Sequence, residues 1–460
     1  MIPVTAYEGQ DVAVLGLART GLAAAAALRA GGARVHAWDD AAPRREAATA
    51  EGVPIAAPSQ LDWGRMAALV MSPGIPHTHP NPHPAAEAAR KAKVPLVGDI
   101  ELLVRSTPGA RYVAITGTNG KSTTTALIGH ILRESGRDVA VGGNLGTPVL
   151  SFAPLGPDGI YVLEISSYQL ELTQSLACDV AVLLNVTPDH LDRHGGMAGY
   201  VAAKERIFAN QKPSQAAVVG MDDEICRGIA GKLRGERRQA VVPISAEGAV
   251  EDGVYVEDGV MTDATGTRPA RVMDMRRASR LPGRHNWQNA AAAFAAARRV
   301  GIPADAVAAG IESFPGLAHR QELIATIDGV AYVNDSKATN ADAAARALAC
   351  YDAIYWIAGG VPKAGGIEPL RPLFPRVRHA FLIGEATDAF ARTLGDGVPH
   401  TRCGDLATSV AEARKSAQAE HVDGAVVLLS PACASFDQFE NFEARGEAFR
   451  ALVTDLARRS

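Results

Sequence analysis

"VAITGTNGKSTTTALIGHIL", residues 113–132, runs from an apolar strand through a glycine turn into a helix whose first turn begins at Lys121. This order suits phosphate binding. Gly117, Thr118, Asn119, Gly120, Lys121 and Ser122 can wrap backbone N–H groups around phosphate oxygens at a helix N-terminus, where the helix dipole favours negative charge. Lys121 is placed for the β- and γ-phosphates, the Ser122 hydroxyl for Mg²⁺, and Thr123 continues the first turn. The motif is a shortened G-x-x-G-K-[ST], because Ile115 stands where the full pattern has its first glycine. We read it as an ATP site.

Around this loop lies a chain of 460 residues, too long for one hydrophobic core, and about 150 residues per domain predicts three units. With 47% hydrophobic and 21% charged residues and a net charge of -4, nothing favours nucleic acid or an anionic membrane as partner, so small metabolites are expected. Cys178, Cys226, Cys350, Cys403 and Cys433 form no close pair, which predicts reduced, buried thiols. No basic segment precedes an apolar stretch at the N-terminus, and no apolar run approaches the roughly 20 residues of a spanning helix. A cytoplasmic α/β protein without a membrane span is expected.

Upstream, "DVAVLGLARTGLAAAAALRAGGARVHAWDD" reads as strand, glycine turn, helix and strand, a Rossmann-like opening closed by Asp39-Asp40. Ala18 occupies the position where a dinucleotide fingerprint wants its middle glycine. After "AALVMSPGI" and a Pro/His-rich loop, the first boundary is placed at residue 98. The central segment, 99–316, repeats apolar strands that run into polar turns, as in "GIYVLEISSYQLE" and "CDVAVLLNVTPDHLDRHG", with a hairpin expected around Asp258-Gly259 and a helix entered through Asn286. The stretch "SFPGLAHRQEL" leads into a third domain, 317–460, of the same strand-then-turn pattern. In open α/β sheets ligands sit at such strand ends.

Three side chains beyond the loop can carry chemistry. Glu164 ends an apolar strand, as a buried structural acid or a Mg²⁺ ligand would. His190 in "NVTPDHLDRHG" reads equally as a structural histidine, and Lys204 in "YVAAKERIF" reads by itself as a solvated helix charge.

The blocks "GTNGKSTTT", "GGNLG", "EISSYQLE", "NVTPDHLDRH", "YVAAKERIF", "GRHNWQN", "GLAHR", "NDSKATN" and "SPACASFDQFENFEARG" follow one another over nearly the whole chain. Together they resemble the Mur ligase family, in particular its glutamate-adding member. The resemblance implies a Rossmann-like N-terminal domain for a UDP substrate, a central P-loop ATPase-type α/β domain, and a Rossmann-like C-terminal domain for the amino acid. It implies ATP contacts from Gly117 through Thr123, with Asn286, Asn289, Arg320 and Asp335. Ser122 would serve a first Mg²⁺, and Glu164, His190 and Lys204, the last as a carbamate, a second. Lys121, His190 and Lys204 would be catalytic. Leu17, Arg19, Thr20, Asp39, Ser72, Gly74, Asn144 and Ser166 would hold the UDP substrate, and Lys337, Thr339, Lys363, Ser435 and Phe442 the amino acid. "GGVPKAGG" and "AWDD" depart from the family's usual residues before Lys363 and beside Asp39.

What the resemblance implies chemically is ATP-dependent joining of glutamate, as the D-enantiomer, to UDP-N-acetylmuramoyl-L-alanine through an acyl phosphate, by a monomer using two Mg²⁺ ions. His190 or Asp189 would take the proton of the amine. L-glutamate as substrate, or a folylpolyglutamate-type or other Mur activity, are the alternatives within the family. Outside it stand a nicotinamide oxidoreductase, argued from Asp39, and a nucleotide-binding regulatory module.

Overall fold

The computed structural model describes residues 1–363 and 365–459. Three sheets follow one another along the chain. The first contains β1 (Asp11–Leu15), β2 (Arg34–Trp38), β3 (Met66–Met71) and β4 (Leu96–Val97), all parallel, in the order β2-β1-β3-β4. The second contains β5 (Arg111–Thr116), β6 (Val139–Gly143), β7 (Ile160–Glu164), β8 (Val180–Leu183), β9 (Ala216–Gly220), β10 (Ala240–Ser245), β11 (Val254–Glu257), β12 (Val260–Asp263) and β13 (Ala270–Asp274). Their order is β13-β12-β11-β10-β9-β8-β5-β7-β6. Pairing is parallel from β6 to β11 and antiparallel from β11 to β13. The β11–β12 hairpin turns through Asp258 and Gly259, both at positive φ, where the sequence placed it.

The third sheet is built from β14 (Glu322–Ile327), β15 (Val330–Asn334), β16 (Ala353–Gly359), β17 (Val377–Ile383), β18 (His400–Gly404) and β19 (Ala425–Leu429), ordered β14-β15-β19-β16-β17-β18 with only β14 antiparallel. Side chains of a strand alternate between faces, and β16 shows the result. Ile354, Trp356 and Ala358 enter one apolar layer, whereas Tyr355 and Ile357 enter the opposite one. The α/β class and its mostly parallel sheets agree with the sequence reading.

By compactness the chain forms two units, residues Met1–Arg277 with Asn286–Ser313, and Ala278–His285 with Phe314–Ser460. The first unit carries two sheets because its apolar core runs past residue 98 without a break. Val12, Val14 and Leu28 of the first sheet's layers belong to the same buried cluster as Leu102, Leu163, Leu183 and Val219. The helix that carries Asn286 begins at Arg284, two residues earlier than the sequence suggested. All five cysteines are free thiols, three buried and two half-buried. No helix among the described residues is long and apolar enough to cross a membrane.

A buried carboxylate ties the helix that follows β4 to the loop that precedes β8. Glu101, on the helix Asp99–Ser106, accepts from the backbone N–H groups of Gln174 and Ser175 at 2.7 and 2.9 Å, from the Ser175 hydroxyl at 2.9 Å and from Arg105 Nε at 2.8 Å. Burial alone would raise its pKa, but these donors outweigh burial and hold it below its ordinary value. Because the folded-state pKa is depressed, the stabilisation is present at neutral pH and is lost as pH falls through the folded-state pKa. Glu101→Gln is expected to destabilise the first unit by about 3 kcal/mol in denaturant titrations at pH 7. The gap to wild type should close on acidification.

Candidate active site

The phosphate loop leaves β5 at Thr116 and enters the helix Lys121–Glu134 through Gly120, which sits in the left-handed region at φ 84°. A Cβ at Gly120 would lie 2.2 Å from Asn289 Oδ1, so the helix beginning at Arg284 packs its amide directly on the turn. Asn289 in turn donates to Asn286 Oδ1 at 3.2 Å. On the other side the loop is gripped by Asn185, a residue sequence reasoning gave no role. Its Oδ1 accepts from Asn119 N–H at 2.9 Å, its Nδ2 donates to Asn119 O at 3.1 Å, and its carbonyl accepts from Thr118 N–H at 2.9 Å. Thr118 Oγ1 lies 3.1 Å from the Tyr200 hydroxyl.

Two lysines meet at this loop. Lys121 Nζ donates to Gly117 O and Thr118 O, each at 2.9 Å, and Lys204 Nζ donates to the same Gly117 O at 2.8 Å. Lys204 is 1% exposed, with Nζ 4.6 Å from the centre of the Tyr200 ring. The reading of Lys204 as a solvated helix charge is therefore wrong. Burial, reinforced by the neighbouring Lys121 charge, pushes its pKa well below the usual lysine range.

Glu164 ends β7 and is 2% exposed. Asn144 Nδ2 donates to its Oε1 at 2.6 Å, while Oε2 is buried and finds no hydrogen-bond partner among the described residues. An orphaned buried carboxylate oxygen is costly unless something satisfies it, and a hard cation such as Mg²⁺, which takes oxygen ligands, fits that position. Ser166 caps the short helix Ser167–Glu171, in a capping box with Gln169. His190 is half-exposed, at φ 52°, with Nε2 3.4 Å from Asp189 Oδ2. Burial lowers its pKa, against the opposing pull of Asp189, and the charge of Lys121 adds to the lowering, a direction that favours the neutral imidazole with its lone pair. Among the described residues no three His, Cys, Asp or Glu side chains converge as a ready metal cluster.

At the first sheet, Gly16 has φ 93° and no room for a Cβ, which would lie 2.6 Å from Ser72 Oγ. Ser72 donates to Gly16 O at 3.2 Å. Asp39 is used inside the turn: Oδ2 accepts from Leu17 N–H at 2.8 Å and from Arg44 at 3.4 Å, and Oδ1 from Ala41 N–H at 2.9 Å. An acid spent this way is not the open ribose acceptor that a nicotinamide reading requires. Arg19 and Thr20 open the helix Arg19–Ala30 beside this turn, and Gly74 is exposed.

The second unit brings its own set together. Asp335 is 4% exposed, accepts from Ser430 Oγ at 2.8 Å and from Gln321 N–H at 3.1 Å, and burial raises its pKa to about 7 despite the opposing charge of Arg320. Lys337 Nζ stands 3.9 Å over the Phe442 ring. Ser435 is buried, Thr339 half-buried, and Lys363 exposed. Sequence reasoning missed the residue that joins these loops, Arg445, which is 1% exposed. It donates to Ser336 Oγ at 2.9 Å, to the carbonyls of Ser336 and Cys433 at 3.0 Å each, and to Ala434 O at 3.4 Å.

The glycine geometry yields a test. Gly120→Ala combines a positive φ with the Asn289 collision, so it is expected to weaken binding of a non-hydrolysable ATP analogue at least about tenfold. Gly109→Ala, at φ 80° with open space around its Cβ, should leave nucleotide affinity unchanged in the same calorimetry.

Comparison with known proteins gives the family to which this fold belongs. The Mur ligase middle domain matches residues 115–297. UDP-N-acetylmuramoylalanine–D-glutamate ligase of Caulobacter sp. (strain K31) is 55% identical, covering 100% of this chain and 99% of its own. The protein of that name from Rhodospirillum rubrum is also 55% identical, over 99% of this chain and 97% of its own. Among solved structures, UDP-N-acetylmuramate-alanine ligase of Thermotoga maritima superposes with a TM-score of 0.57 at 17% identity, covering 98% of this chain and 100% of that one. A pseudomurein peptide ligase type C from Methanothermus fervidus gives 0.56 at 18% identity, over 97% and 100%. These structures share the fold, and with relatives more than half identical from end to end, the chain belongs to the Mur ligase family.

Proposed function

We propose that this chain is an ATP-dependent, ADP-forming ligase that joins D-glutamate to UDP-N-acetylmuramoyl-L-alanine in peptidoglycan precursor synthesis, acting as a cytoplasmic monomer. The observation that carries the reading is the 55% identity to D-glutamate ligases along the full length of both chains. The residues of the phosphate loop supply the chemistry it needs.

A carboxylate does not react with an amine that merely salt-bridges to it. The γ-phosphoryl of ATP is therefore moved to the terminal carboxylate of the UDP substrate, and the glutamate amine displaces phosphate from the acyl phosphate. Lys121 neutralises charge on the transferring group, with backbone N–H groups from Gly117 to Thr123 cradling the nucleotide phosphates. Asn286, Asn289, Arg320 and Asp335 hold the rest of ATP. Two Mg²⁺ ions, when bound, supply charge neutralisation and polarise phosphoryl oxygens; Ser122 would hold one, and Glu164, His190 and Lys204 the other. His190 or Asp189 accepts the proton of the attacking amine.

The domains 1–98, 99–316 and 317–460 take the UDP substrate, ATP and glutamate respectively. Leu17, Arg19, Thr20, Ser72 and Gly74 meet the UDP moiety at a turn braced by Asp39, and Asn144 and Ser166 meet the sugar-peptide end. Lys337, Thr339, Lys363, Ser435 and Phe442 hold the amino acid. Phosphate release is expected to require ATP, Mg²⁺, UDP-N-acetylmuramoyl-L-alanine and D-glutamate together. Equal release with L-glutamate, or without the UDP compound, overturns the substrate assignment.

Lys204 is proposed to act as a carbamate, because a charged ammonium has no lone pair for a hard cation, whereas its CO₂ adduct is an anionic oxygen ligand. The supporting observation is a buried Nζ beside Lys121, where the neutral amine that attacks CO₂, losing a proton to give the carbamate, is favoured. Lys204→Ala should lose most activity and regain part of it with short-chain carboxylates, and CO₂-depleted buffer should slow the wild type. Normal turnover by Lys204→Ala removes it from the metal site.

A further inference from the structure

A chain of hydrogen bonds crosses the first unit between the loop that follows β3 and the segment that carries His190. Its centre is Glu171, at the end of the helix Ser167–Glu171. Glu171 Oε1 lies 2.9 Å from His194 Nδ1, and Oε2 lies 3.1 Å from His77 Nε2. His194 Nε2 is 2.9 Å from Ser167 Oγ, and His77 Nδ1 is 3.1 Å from an Arg90 N–H group. A carboxylate only accepts, so each imidazole donates to Glu171 through the nitrogen facing it and accepts through the other, from Ser167 and from Arg90. Every group is satisfied with both histidines neutral.

The chain ends on the catalytic segment. The His194 side chain is fully buried, stacked on Tyr168 at 5.2 Å and tilted against Tyr200 at 5.3 Å between ring centres. Tyr168 also packs on the His190 ring at 5.1 Å, and the Tyr200 hydroxyl reaches the phosphate loop at Thr118. The segment then turns through Gly195 and Gly196 into the helix Met197–Glu205, which carries Lys204. The loop after β3 holds the same segment twice more. Arg193 donates to Gly74 O at 2.8 Å, and a Cβ on Gly195 would lie 2.8 Å from His79 Nε2.

We propose that the Ser167–His194–Glu171–His77 chain is a positioning relay, through which the loop after β3 fixes the placement of His190 and of the Lys204 helix, making His77 and His194 positioning residues for phosphoryl transfer. The inference rests on the ligase reading, which gives Ser72 and Gly74 of that loop to the UDP substrate. Partners one layer behind a metal site set the orientation of its ligands, and losing one costs on the order of 10–100-fold in metal affinity or activity. His77 belongs to the other sheet's layer yet stands two hydrogen bonds from the His190 segment, so a loop that meets the UDP substrate also holds the catalytic segment in register.

The test uses the full-length enzyme with His77→Phe, His77→Gln, Glu171→Gln and the double variant His77→Phe/Glu171→Gln, below all their melting temperatures. His77→Phe is expected to lower kcat about tenfold and to raise the Mg²⁺ concentration at half-maximal rate, with the KM for ATP moving less than about twofold. His77→Gln, which keeps an N–H toward Glu171, should recover most of the loss, and the double variant should be no worse than the poorer single one. An unchanged kcat and Mg²⁺ midpoint in His77→Phe, or losses that multiply in the double variant, overturn the relay. Wild type is assayed first: an inactive wild type takes down the ligase reading and the relay together, whereas an active wild type with an indifferent His77→Phe removes the relay alone.

Discussion

One carbonyl oxygen, that of Gly117, accepts from the terminal nitrogens of two lysines, and the phosphate loop is built around that crowding. Two cations at one acceptor would repel each other, and the burial of Lys204 keeps water from screening them, so its neutral amine is favoured beside the charge of Lys121. The surroundings tolerate this arrangement because the loop is held from outside. Asn185 fixes it on one side and Asn289 on the other. A polyanion entering the loop meets the charge of Lys121 and favours the protonated form of any amine beside it, which makes the arrangement a favourable one for nucleotide.

The second unit solves the opposite problem with a single cation. Arg445 is buried with hydroxyl and carbonyl partners only, and burial lowers its pKa to about 10. Its planar fork suits acceptors from two strand ends, two on Ser336 and one on Cys433, in a way a lysine could not reproduce. The loops bearing Lys337, Ser435 and Lys363 are thus tied to the C-terminal helix, Phe442–Arg459, rather than to one another through charge pairs.

What the sequence revealed was what is local. The phosphate loop, the hairpin at Asp258-Gly259 and the parallel sheets are written in runs of a few residues, where strand period, glycine and helix start lie side by side. What it concealed was burial and long-range pairing. Lys204 looks like any helix lysine until the fold covers it. Arg445 finds Ser336 across 109 residues, and Asp39 turns back on Leu17 across 22, so neither partner is visible from the other. His194 reads as a turn residue, although Ser167 and Glu171 wait 27 and 23 residues upstream. The continuous core across residue 98 escaped for the same reason, since a hydrophobic pattern does not state which layer it will join.

The reversal of strand direction after β11 has a consequence beyond the shape of the second sheet. An open parallel sheet of this length would offer unpaired N–H and C=O groups along its flank, a template on which a second chain could add. Here that flank ends on β13, a short strand preceded by Pro269 and bearing an exposed Arg271 and a half-buried Asp274. Charges and a short final strand make poor seeds for stacking. The antiparallel appendage thereby makes this one edge a poor place for a second chain to add.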